Sequence, residues 1–353
     1  MQKKRILFLG ETYRADAITW INGLKEFGDF EIVTWELKSK SNGLGRVARI
    51  LELIKAFTTI RSIAKTSKVD MIIAERTTSY GFLAALSGVT PIAIAQQGIT
   101  DLWPENSITY PFKKIIQRYA FKKATLIHAW GPVMAKHMKA SKVDMSKVMI
   151  LPKGINLSFF EFQNNSDESI LNAIVTRTLQ QEYKHEVILN AFGILKQKNI
   201  PFQLTIVGDG VLLENLKKQA IALQIENEVY FTGRVNNTDL PKLLQKSNFY
   251  ISMPTTEGVS ASLFEAMACG CFPIVTDLPG NRSWIKHKEN GILVPSENYT
   301  KLASEMEWAF QNHNVRQKSI VTNRKFVEEN ANYEKNMKKI ADAYHQLIAT
   351  KHT

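Results

Sequence analysis

The sequence contains only two cysteines and no long hydrophobic run. Cys269 and Cys271 are separated by one residue, a spacing at which a disulfide would be strained, and no cluster of His or Cys accompanies them to form a metal site. No segment approaches the roughly 20 apolar residues that span a bilayer, and the apolar run at 6–9 is too short for a signal peptide. We therefore expect buried thiols in a reducing compartment and a cytoplasmic protein.

The net charge of +12 is distributed unevenly along the chain. Residues 1–150 hold 23 Lys and Arg against 12 Asp and Glu, whereas the remaining residues hold 22 against 21. The cations concentrate in residues 38–68 and 113–142, and the apolar residues between those of the first stretch have helical spacing. Three interpretations remain open: a solvated helix face, a nucleic-acid surface, or contact with anionic lipid head groups. No nucleic-acid recognition motif accompanies the charge, so nucleic acid is not expected as a partner.

A chain of 353 residues is too long for one ordinary core, which predicts two domains. Short apolar runs alternate with helical stretches on both sides of a polar linker at 152–168, which predicts βαβ units around parallel sheets. We expect an α/β protein with Rossmann-like domains at 1–157 and 170–330, facing each other across a cleft, and an amphipathic helix within 331–353. The predicted strands are 5–9, 30–34, 71–74, 91–95, 125–129 and 148–151, then 172–176, 202–207, 229–232 and 249–253.

Two carboxylates, Glu257 and Glu265, stand eight positions apart around a predicted loop-to-helix transition. Ser260, Ala261 and Ser262 lie where the start of that helix would leave backbone N–H groups unpaired, which suits an anion. Glu257 precedes the helix and Glu265 lies about one turn inside it. A phosphate at the helix start would have a carboxylate on either side, each able to accept hydrogen bonds from sugar hydroxyls.

This stretch resembles the Glu-x7-Glu signature of glycosyltransferase family 4, whose members have the GT-B fold and use nucleotide-sugar donors. The two glutamates, the small residues between them and the Gly-x-Pro-Ile-Val strand that follows are all in register. The resemblance implies an N-terminal acceptor domain, a C-terminal donor domain and a terminal helix that returns to the first domain. It also implies that Glu265 accepts hydrogen bonds from the ribose and that Glu257 lies near the donor sugar. The implied donor-binding segment between them is Gly258, Val259, Ser260, Ala261 and Ser262.

Two cations follow the first strand of the second domain, Arg177 and, seven residues later, Lys184. Their spacing is similar to the Gly-Arg…Lys-Gly motif of the family, in which both cations neutralise the leaving diphosphate, although Thr176 and His185 replace the glycines. The sequence contains no Asp-x-Asp motif, so a divalent metal is not indicated. We expect positive charge and helix amides to stabilise the phosphate instead, with no metal and no other cofactor.

Two further segments are similar to donor-site motifs of the family. Gly208 and Gly210 follow a predicted strand, as the family's Val-Gly-x-Gly does, although a tight turn into a helix explains them equally well. Leu213 occupies the place of the third glycine of a dinucleotide fingerprint, which argues against NAD. Arg234 and Val235 end a segment similar to Phe-x-Gly-x-Val, whose backbone contacts the base in the family; whether that base belongs to UDP, GDP or ADP stays open.

In the first domain the resemblance rests mainly on topology. Gln97 stands where many relatives have a histidine that contacts the donor sugar, and Asp101 is an acceptor-site candidate. Arg14 and Asp16, in the first loop, are further candidates for contact with donor or acceptor. Ser283 occupies a position that is usually Glu in relatives.

The resemblance implies a glycosyltransferase that retains anomeric configuration, and the absence of an Asp-x-Asp motif predicts that it needs no metal. The expected acceptor is a lipid-linked saccharide or glycolipid of cell-surface polysaccharide synthesis, reached by basic helices that dock peripherally on the inner membrane leaflet. Two alternatives remain open: a GT-B sugar-nucleotide epimerase, which needs no acceptor, and a non-catalytic binding protein. The departures at Gln97 and Ser283 favour the second alternative.

Overall fold

The computed structural model describes residues 3–38, 45–102, 107–164 and 169–350, with the backbone alone over 45–50. The chain divides into two compact units, one formed by Met1–Lys153 with Tyr333–Thr353 and the other by Gly154–Asn332. Residues 39–44 of the basic stretch and 165–168 of the predicted linker lie outside the described residues.

Unit 1 is built on a six-stranded parallel sheet. Its strands are β1 (Arg5–Leu9), β2 (Glu31–Trp35), β3 (Met71–Glu75), β4 (Ile92–Ala95), β5 (Leu126–Ala129) and β6 (Val148–Ile150). They lie in the order β2-β1-β3-β4-β5-β6, so the direction of strand addition reverses between β1 and β3. In open α/β sheets, ligands bind outside the carboxyl ends of the strands at such a switch point. The helices of this part are α1 (Ala15–Gly28), α2 (Gly45–Thr66), α3 (Gly81–Leu86), α4 (Tyr110–Lys123) and α5 (Pro132–Ala140).

Unit 2 has a second six-stranded parallel sheet. Its strands are β7 (Leu171–Thr176), β8 (Phe202–Val207), β9 (Val229–Gly233), β10 (Phe249–Ser252), β11 (Phe272–Thr276) and β12 (Ile292–Val294). The order β12-β11-β10-β7-β8-β9 is that of a dinucleotide-binding sheet, and its switch point lies between β7 and β10. The helices are α6 (His185–Gln197), α7 (Leu213–Ala222), α8 (Leu240–Gln245), α9 (Ala261–Cys269), α10 (Pro279–Arg282), α11 (Tyr299–Gln311) and α12 (His313–Asn330).

Both faces of the second sheet are buried, as expected for parallel strands that helices cover on two sides. Ala173 and Val175 of β7 belong to one apolar cluster, whereas Ile174 between them belongs to the opposite one. The opposite cluster also contains Leu263 and Phe264 of α9, so that helix is packed firmly on the sheet. The two parallel sheets confirm the predicted α/β fold class, and each predicted strand is present with ends that agree within one residue.

The last helix, α13 (Tyr333–Thr350), belongs to unit 1. It packs against α1, where the Tyr333 hydroxyl donates to the carbonyl of Thr19 at 2.8 Å. Nearer its end, Nε2 of His345 lies 2.8 Å from the carbonyl of Gly28, the last residue of α1. The amphipathic pattern of this segment therefore reflects an apolar face that is buried against the first unit.

Unit 2 begins before residue 170, because the segment after Lys153 already packs on it. Ile155 is buried, and its N–H donates to the carbonyl of Ala331 at 2.8 Å. Further along, the N–H of Gln163 donates to the carbonyl of Cys269 at 3.3 Å. Backbone hydrogen bonds thus hold residues 155 and 163 on unit 2, within the segment that its polar, turn-rich composition marks as a linker.

Two expectations from composition concern the whole chain. Cys269 and Cys271 are free and buried, as predicted, and burial raises the pKa of the Cys269 thiol to about 12. In the described part of the chain, no helix is both long enough and apolar enough to cross a membrane.

Candidate nucleotide-sugar site

Arg177, the first residue after β7, connects four segments at the switch point of unit 2. Its Nε donates to the Ser252 hydroxyl, at the end of β10, over 3.2 Å. Its Nη2 donates to the Glu257 carboxylate and to the hydroxyl of Ser260, the residue that caps α9. The predicted cation and the predicted carboxylate, 80 positions apart in sequence, are therefore in direct contact.

The Arg177 guanidinium is charged despite its burial. Burial by itself would lower its pKa, but Tyr250, Glu257 and Tyr183 raise it further above its ordinary value. The guanidinium carbon also lies 5.4 Å from the centre of the Tyr183 ring. Among the described residues, none accepts a hydrogen bond from Nη1, so the two N–H groups of this nitrogen are available to an anion.

The start of α9 offers further donors to an anion. Ser260 caps the helix, because its hydroxyl accepts from the N–H of Leu263 at 3.3 Å. The amides of Ala261 and Ser262 belong to the first turn, whose N–H groups have no partner within a helix. The positive end of the helix dipole adds to the charge of Arg177 at the same place.

Glu265 lies in the second turn of α9 and is half-buried. Burial raises the pKa of its carboxyl to about 7, and the positive charge of Arg177 limits that rise. Within the described ranges, no side chain or backbone group hydrogen-bonds its carboxylate, in contrast to Glu257, which Arg177 holds. Such a carboxylate is available to accept hydrogen bonds from a diol.

Gly280 is a site residue that the sequence reasoning missed. A Cβ atom on this residue of α10 would lie 2.1 Å from the carbonyl oxygen of Glu257 and 2.8 Å from that of Gly258. Only glycine therefore allows the loop that carries Glu257 to lie this close to α10. The available signal was a Pro-Gly pair just after β11, at the same edge of the sheet as Arg177. Ser283, the residue after α10, donates its hydroxyl to the carbonyl of Pro279 at 3.1 Å.

Lys184 is close to the site in sequence, but its ammonium group has other partners. Its Nζ lies 2.7 Å from Oε1 of Glu297 and 3.7 Å from Oε1 of Glu186. Lys184 itself adopts a left-handed conformation, with φ of 51°, just before α6. His185, which stands where the family motif has glycine, is fully buried, and burial lowers its pKa to about 4. A phosphate would therefore have to compete with Glu297 for Lys184.

Gly208 and Gly210 allow two loops at the sheet edge to touch. A Cβ on Gly208, whose φ is +148°, would lie 2.3 Å from the carbonyl oxygen of Arg177. A Cβ on Gly210 would lie 2.4 Å from the carbonyl oxygen of Leu179. The N–H of Leu179 also donates to the carbonyl of Asp209 at 3.0 Å. The tight-turn interpretation thus has a structural basis, and the turn supports the loop that carries Arg177.

Arg234 and Val235 follow β9, further along the same edge. Arg234 is exposed, whereas Val235 is half-buried and packs on the apolar cluster beneath α9. Their contact with a base stays a prediction. The described residues contain no group of three or more His, Cys, Asp or Glu side chains arranged to hold a metal ion, and metal independence also stays a prediction.

The candidates in unit 1 gather at the switch point of its own sheet. Asp101 is used within the protein, because its carboxylate accepts from the Thr77 N–H at 2.7 Å, the Thr77 hydroxyl at 2.9 Å and the Gln97 N–H at 3.2 Å. Burial raises the pKa of Asp101, and these hydrogen bonds limit the rise. Arg14 is exposed and Asp16 is partly buried, and Nε of Arg14 lies 3.3 Å from Oδ1 of Asp16. Of the four candidates, Asp101 has the clearest structural role.

Three charged residues near these candidates were not foreseen. Arg76 binds both carboxylate oxygens of Glu11, at 2.9 and 2.6 Å. Glu75 accepts a hydrogen bond from Nε2 of Gln97 at 3.1 Å. Lys153 donates to the carbonyl of Asp16 at 2.9 Å. Glu75 could have been found from the sequence, because it is a carboxylate at the end of an otherwise apolar strand. Lys153 stands in a turn-rich segment, and no sequence signal indicates a role for it.

The two parallel sheets and the helix-terminal site at the β7–β10 switch point define a protein of the GT-B class. A solved structure of the Anabaena protein HepE in complex with UDP has this fold, with a TM-score of 0.78 at 15% identity, covering 98% of this chain and 100% of HepE. HepE has also been solved with UDP-glucose, with a TM-score of 0.74 at 16% identity, covering 97% of this chain and 100% of HepE.

Residues 158–326 match the family Glycosyl transferases group 1, and residues 5–130 match Glycosyl transferase 4-like. The chain belongs to the family 4 type of GT-B glycosyltransferases, which confirms the predicted family. An uncharacterised glycosyltransferase of Methanocaldococcus jannaschii is 26% identical over 255 residues, which are 69% of this chain but only 64% of that relative. The UDP-Gal:alpha-D-GlcNAc-diphosphoundecaprenol alpha-1,3-galactosyltransferase of Escherichia coli is 24% identical over 71% of this chain and 69% of its own length.

Proposed function

We propose that the protein transfers a sugar from a nucleotide-sugar to a hydroxyl acceptor, with retention of configuration and without a divalent metal. The observation that carries the proposal is the buried Arg177, in contact with Glu257 and with the cap of α9, beside the unpartnered carboxylate of Glu265. Cation, helix amides and carboxylate meet at the switch point where α/β sheets bind nucleotides.

The roles of these residues follow from their chemistry. Nη1 of Arg177 and the amides of Ala261 and Ser262 would donate to the diphosphate and stabilise the charge that develops on it. Glu265 would accept from the two ribose hydroxyls, and Glu257 from a hydroxyl of the donor sugar. The acceptor hydroxyl would attack from the side of the leaving group and pass its proton to a phosphate oxygen. This scheme retains configuration and needs no carboxylate nucleophile.

The donor and acceptor classes are inferred from relatives. HepE binds UDP and UDP-glucose, and the Escherichia coli relative is named for UDP-galactose, so a UDP-sugar is the first donor to test. The same relative is named for a diphosphoundecaprenol acceptor, which favours a lipid-linked saccharide of surface polysaccharide synthesis here. Such an acceptor would be met at the inner membrane leaflet.

A surface around α4 supports docking on that leaflet. Three large apolar side chains are strongly exposed, Ile108 (99%) just before α4 and Phe112 (65%) and Ile115 (65%) within its first two turns. Exposed apolar side chains beside cations are typical of interfacial helices that bind anionic lipids. We call these three residues the α4 stripe. The cations of the same helix are Lys113, Lys114, Arg118, Lys122 and Lys123.

Removal of two of the three side chains of the α4 stripe is expected to weaken vesicle binding. Replacing Phe112 and Ile115 together by serine should lower the affinity for anionic vesicles about tenfold or more, because each such side chain contributes about 1.5 to 3 kcal/mol when it is fully buried. Co-sedimentation with vesicles of anionic and of zwitterionic lipid measures the effect. Val321→Ser, which alters a side chain 58% exposed on α12, should change nothing. Equal failure of the wild-type protein to bind either vesicle would refute the docking proposal.

Product analysis tests the function itself. The protein is incubated with UDP-glucose, UDP-galactose or UDP-N-acetylglucosamine, with and without a polyprenyl-diphosphate saccharide in vesicles. We expect an α-linked product from an α-linked donor only when acceptor is present, at the same rate in EDTA. An epimerised donor without acceptor would favour the epimerase alternative. Donor binding without any turnover would favour the binding protein, and a β-linked product or a loss of rate in EDTA would contradict retention or metal independence.

A further inference from the structure

Glu75 is a buried carboxylate at the switch point of unit 1. It is the last residue of β3, between β1 and β4, and is only 2% exposed. One oxygen accepts from Nε2 of Gln97 at 3.1 Å, and the other accepts from the N–H of Glu11 at 3.3 Å. Gly10 makes room for it, since a Cβ there would lie 2.7 Å from Oε2 of Glu75. The absence of a side chain at residue 10 thus leaves room for a carboxyl group that is almost fully buried yet accepts only these two hydrogen bonds among the described residues.

The charges around Glu75 come from several elements. Arg14 faces it from the first loop, Asp16 from the start of α1, and Lys153 from the segment after β6. Burial raises the pKa of Glu75 to about 7, and the negative charge of Asp16 adds to the rise. Lys153, the Glu11 N–H and Arg14 oppose it. Nearby, Arg76 holds Glu11, and Thr77 holds Asp101, so these two carboxylates already have strong partners.

Gln97, rather than Glu75, is placed to touch a ligand. Gln97 is partly exposed, whereas Glu75 lies behind it. An ionised carboxylate only accepts hydrogen bonds, so it holds the NH₂ group of the Gln97 amide towards itself and turns the amide oxygen away. A protonated carboxyl both donates and accepts, and it would satisfy the amide in either orientation.

We propose that Glu75 is a positioning residue that, while ionised, orients the Gln97 amide so that its oxygen accepts a hydrogen bond from a sugar hydroxyl. This inference rests on the proposed function for the identity of the ligand. The hydroxyl belongs either to the sugar of the donor or to the terminal sugar of the acceptor, and the two sources share the same chemistry. Protonation of Glu75 lowers the fraction of Gln97 in the binding orientation, and the apparent affinity falls with that fraction.

A double-mutant cycle of Glu75→Gln and Gln97→Ala tests the coupling. Each single variant should raise one KM about three- to tenfold, as expected for one neutral hydrogen bond, with kcat little changed. The double variant should be no worse than Gln97→Ala, because Glu75 acts through Gln97. A rise in the KM of the nucleotide-sugar assigns the hydroxyl to the donor, and a rise in the acceptor KM assigns it to the acceptor. Additive effects in the cycle would overturn the proposal.

The dependence on pH is a second readout. In the wild-type protein the same KM should rise as the pH falls from 8 to 6, and this rise should be smaller in Glu75→Gln, where Glu265 alone of the two carboxyls still titrates near pH 7. The side-chain amide NMR signals of Gln97, identified by their absence in Gln97→Ala, should titrate near pH 7 and should not do so in Glu75→Gln. This titration needs no turnover, so it separates a failure of this inference from a failure of the proposed function. Amide signals that do not titrate would also overturn it.

Discussion

Replacing Arg177 by methionine is expected to lower kcat/KM by about a hundredfold to a thousandfold, the usual effect of removing one preorganised donor to a developing negative charge. The side chain is 15% exposed and holds Glu257, Ser252 and Ser260 together, so its loss also leaves a carboxylate of 13% exposure without its cation. Arg177→Lys keeps the charge but loses the planar fork, and should recover only part of the activity. Steady-state kinetics on the folded variants measures both effects.

Arg324 offers a matched control for Arg177. It is also a largely buried arginine of unit 2, with Nε 2.6 Å from Glu328 and Nη1 2.7 Å from the carbonyl of Phe160. Arg324→Met should lower the melting temperature but leave kcat/KM of the folded protein almost unchanged. If Arg177→Met kept more than a tenth of the wild-type kcat/KM, Arg177 would not hold the leaving phosphate.

Replacing Glu265 by glutamine is expected to weaken the binding of UDP and to raise the free energy of unfolding. UDP should bind about tenfold to a hundredfold more weakly, because hydrogen bonds to charged groups contribute about 1.5 to 3 kcal/mol and glutamine leaves a single neutral acceptor. The pKa of Glu265 is about 7 in the folded protein and 4.5 ordinarily, so the folded state loses stability relative to the unfolded state as the pH rises from about 4.5 to 7. Glutamine imitates the protonated form and removes this cost.

Wild type and Glu265→Gln should therefore have the same stability only at pH 4.5 and below, and should differ fully at pH 8.5. At the higher pH, we expect Glu265→Gln to be more stable than wild type by about 1 to 2 kcal/mol, allowing for solvent screening of a half-buried group. Denaturant unfolding at both pH values, with calorimetry of UDP binding, provides the measurements. Glu214→Gln, on the exposed surface of α7, should alter neither quantity. A Glu265→Gln protein that bound UDP like wild type would remove Glu265 from the site.

The family resemblance placed Arg177 and Glu257 in one donor site but did not predict their contact. The contact is possible because both residues follow parallel strands, whose carboxyl ends meet at one edge of a sheet. The strands were predicted from apolar runs of four to six residues between turn signals, because buried parallel strands are apolar on both faces. The small residues at 260–262 predicted the start of α9 to within one residue. These features depend on local pattern and on topology, both of which can be inferred from a single sequence.

Side-chain partners between distant segments could not be predicted in this way. Glu297, which takes the ammonium of Lys184, stands after β12, more than a hundred positions away. The carboxylate of Asp101, an acceptor-site candidate, accepts two hydrogen bonds from Thr77, and nothing local in the sequence indicates this partner. Gly280 is needed only because a carbonyl of another loop lies against it. Such contacts depend on how loops from different strands pack, which periodicity does not reveal.

Calorimetry of UDP, GDP and ADP binding to the wild-type protein, Glu265→Gln and Glu75→Gln would show whether the switch point of unit 2 binds the nucleotide. We expect UDP to bind to the wild-type protein and Glu265→Gln to weaken this binding at least tenfold, in line with the loss of a charge-assisted hydrogen bond. Glu75→Gln, in the other unit, should leave it unchanged. Absence of binding by all three nucleotides, or UDP binding that Glu265→Gln does not alter, would contradict it.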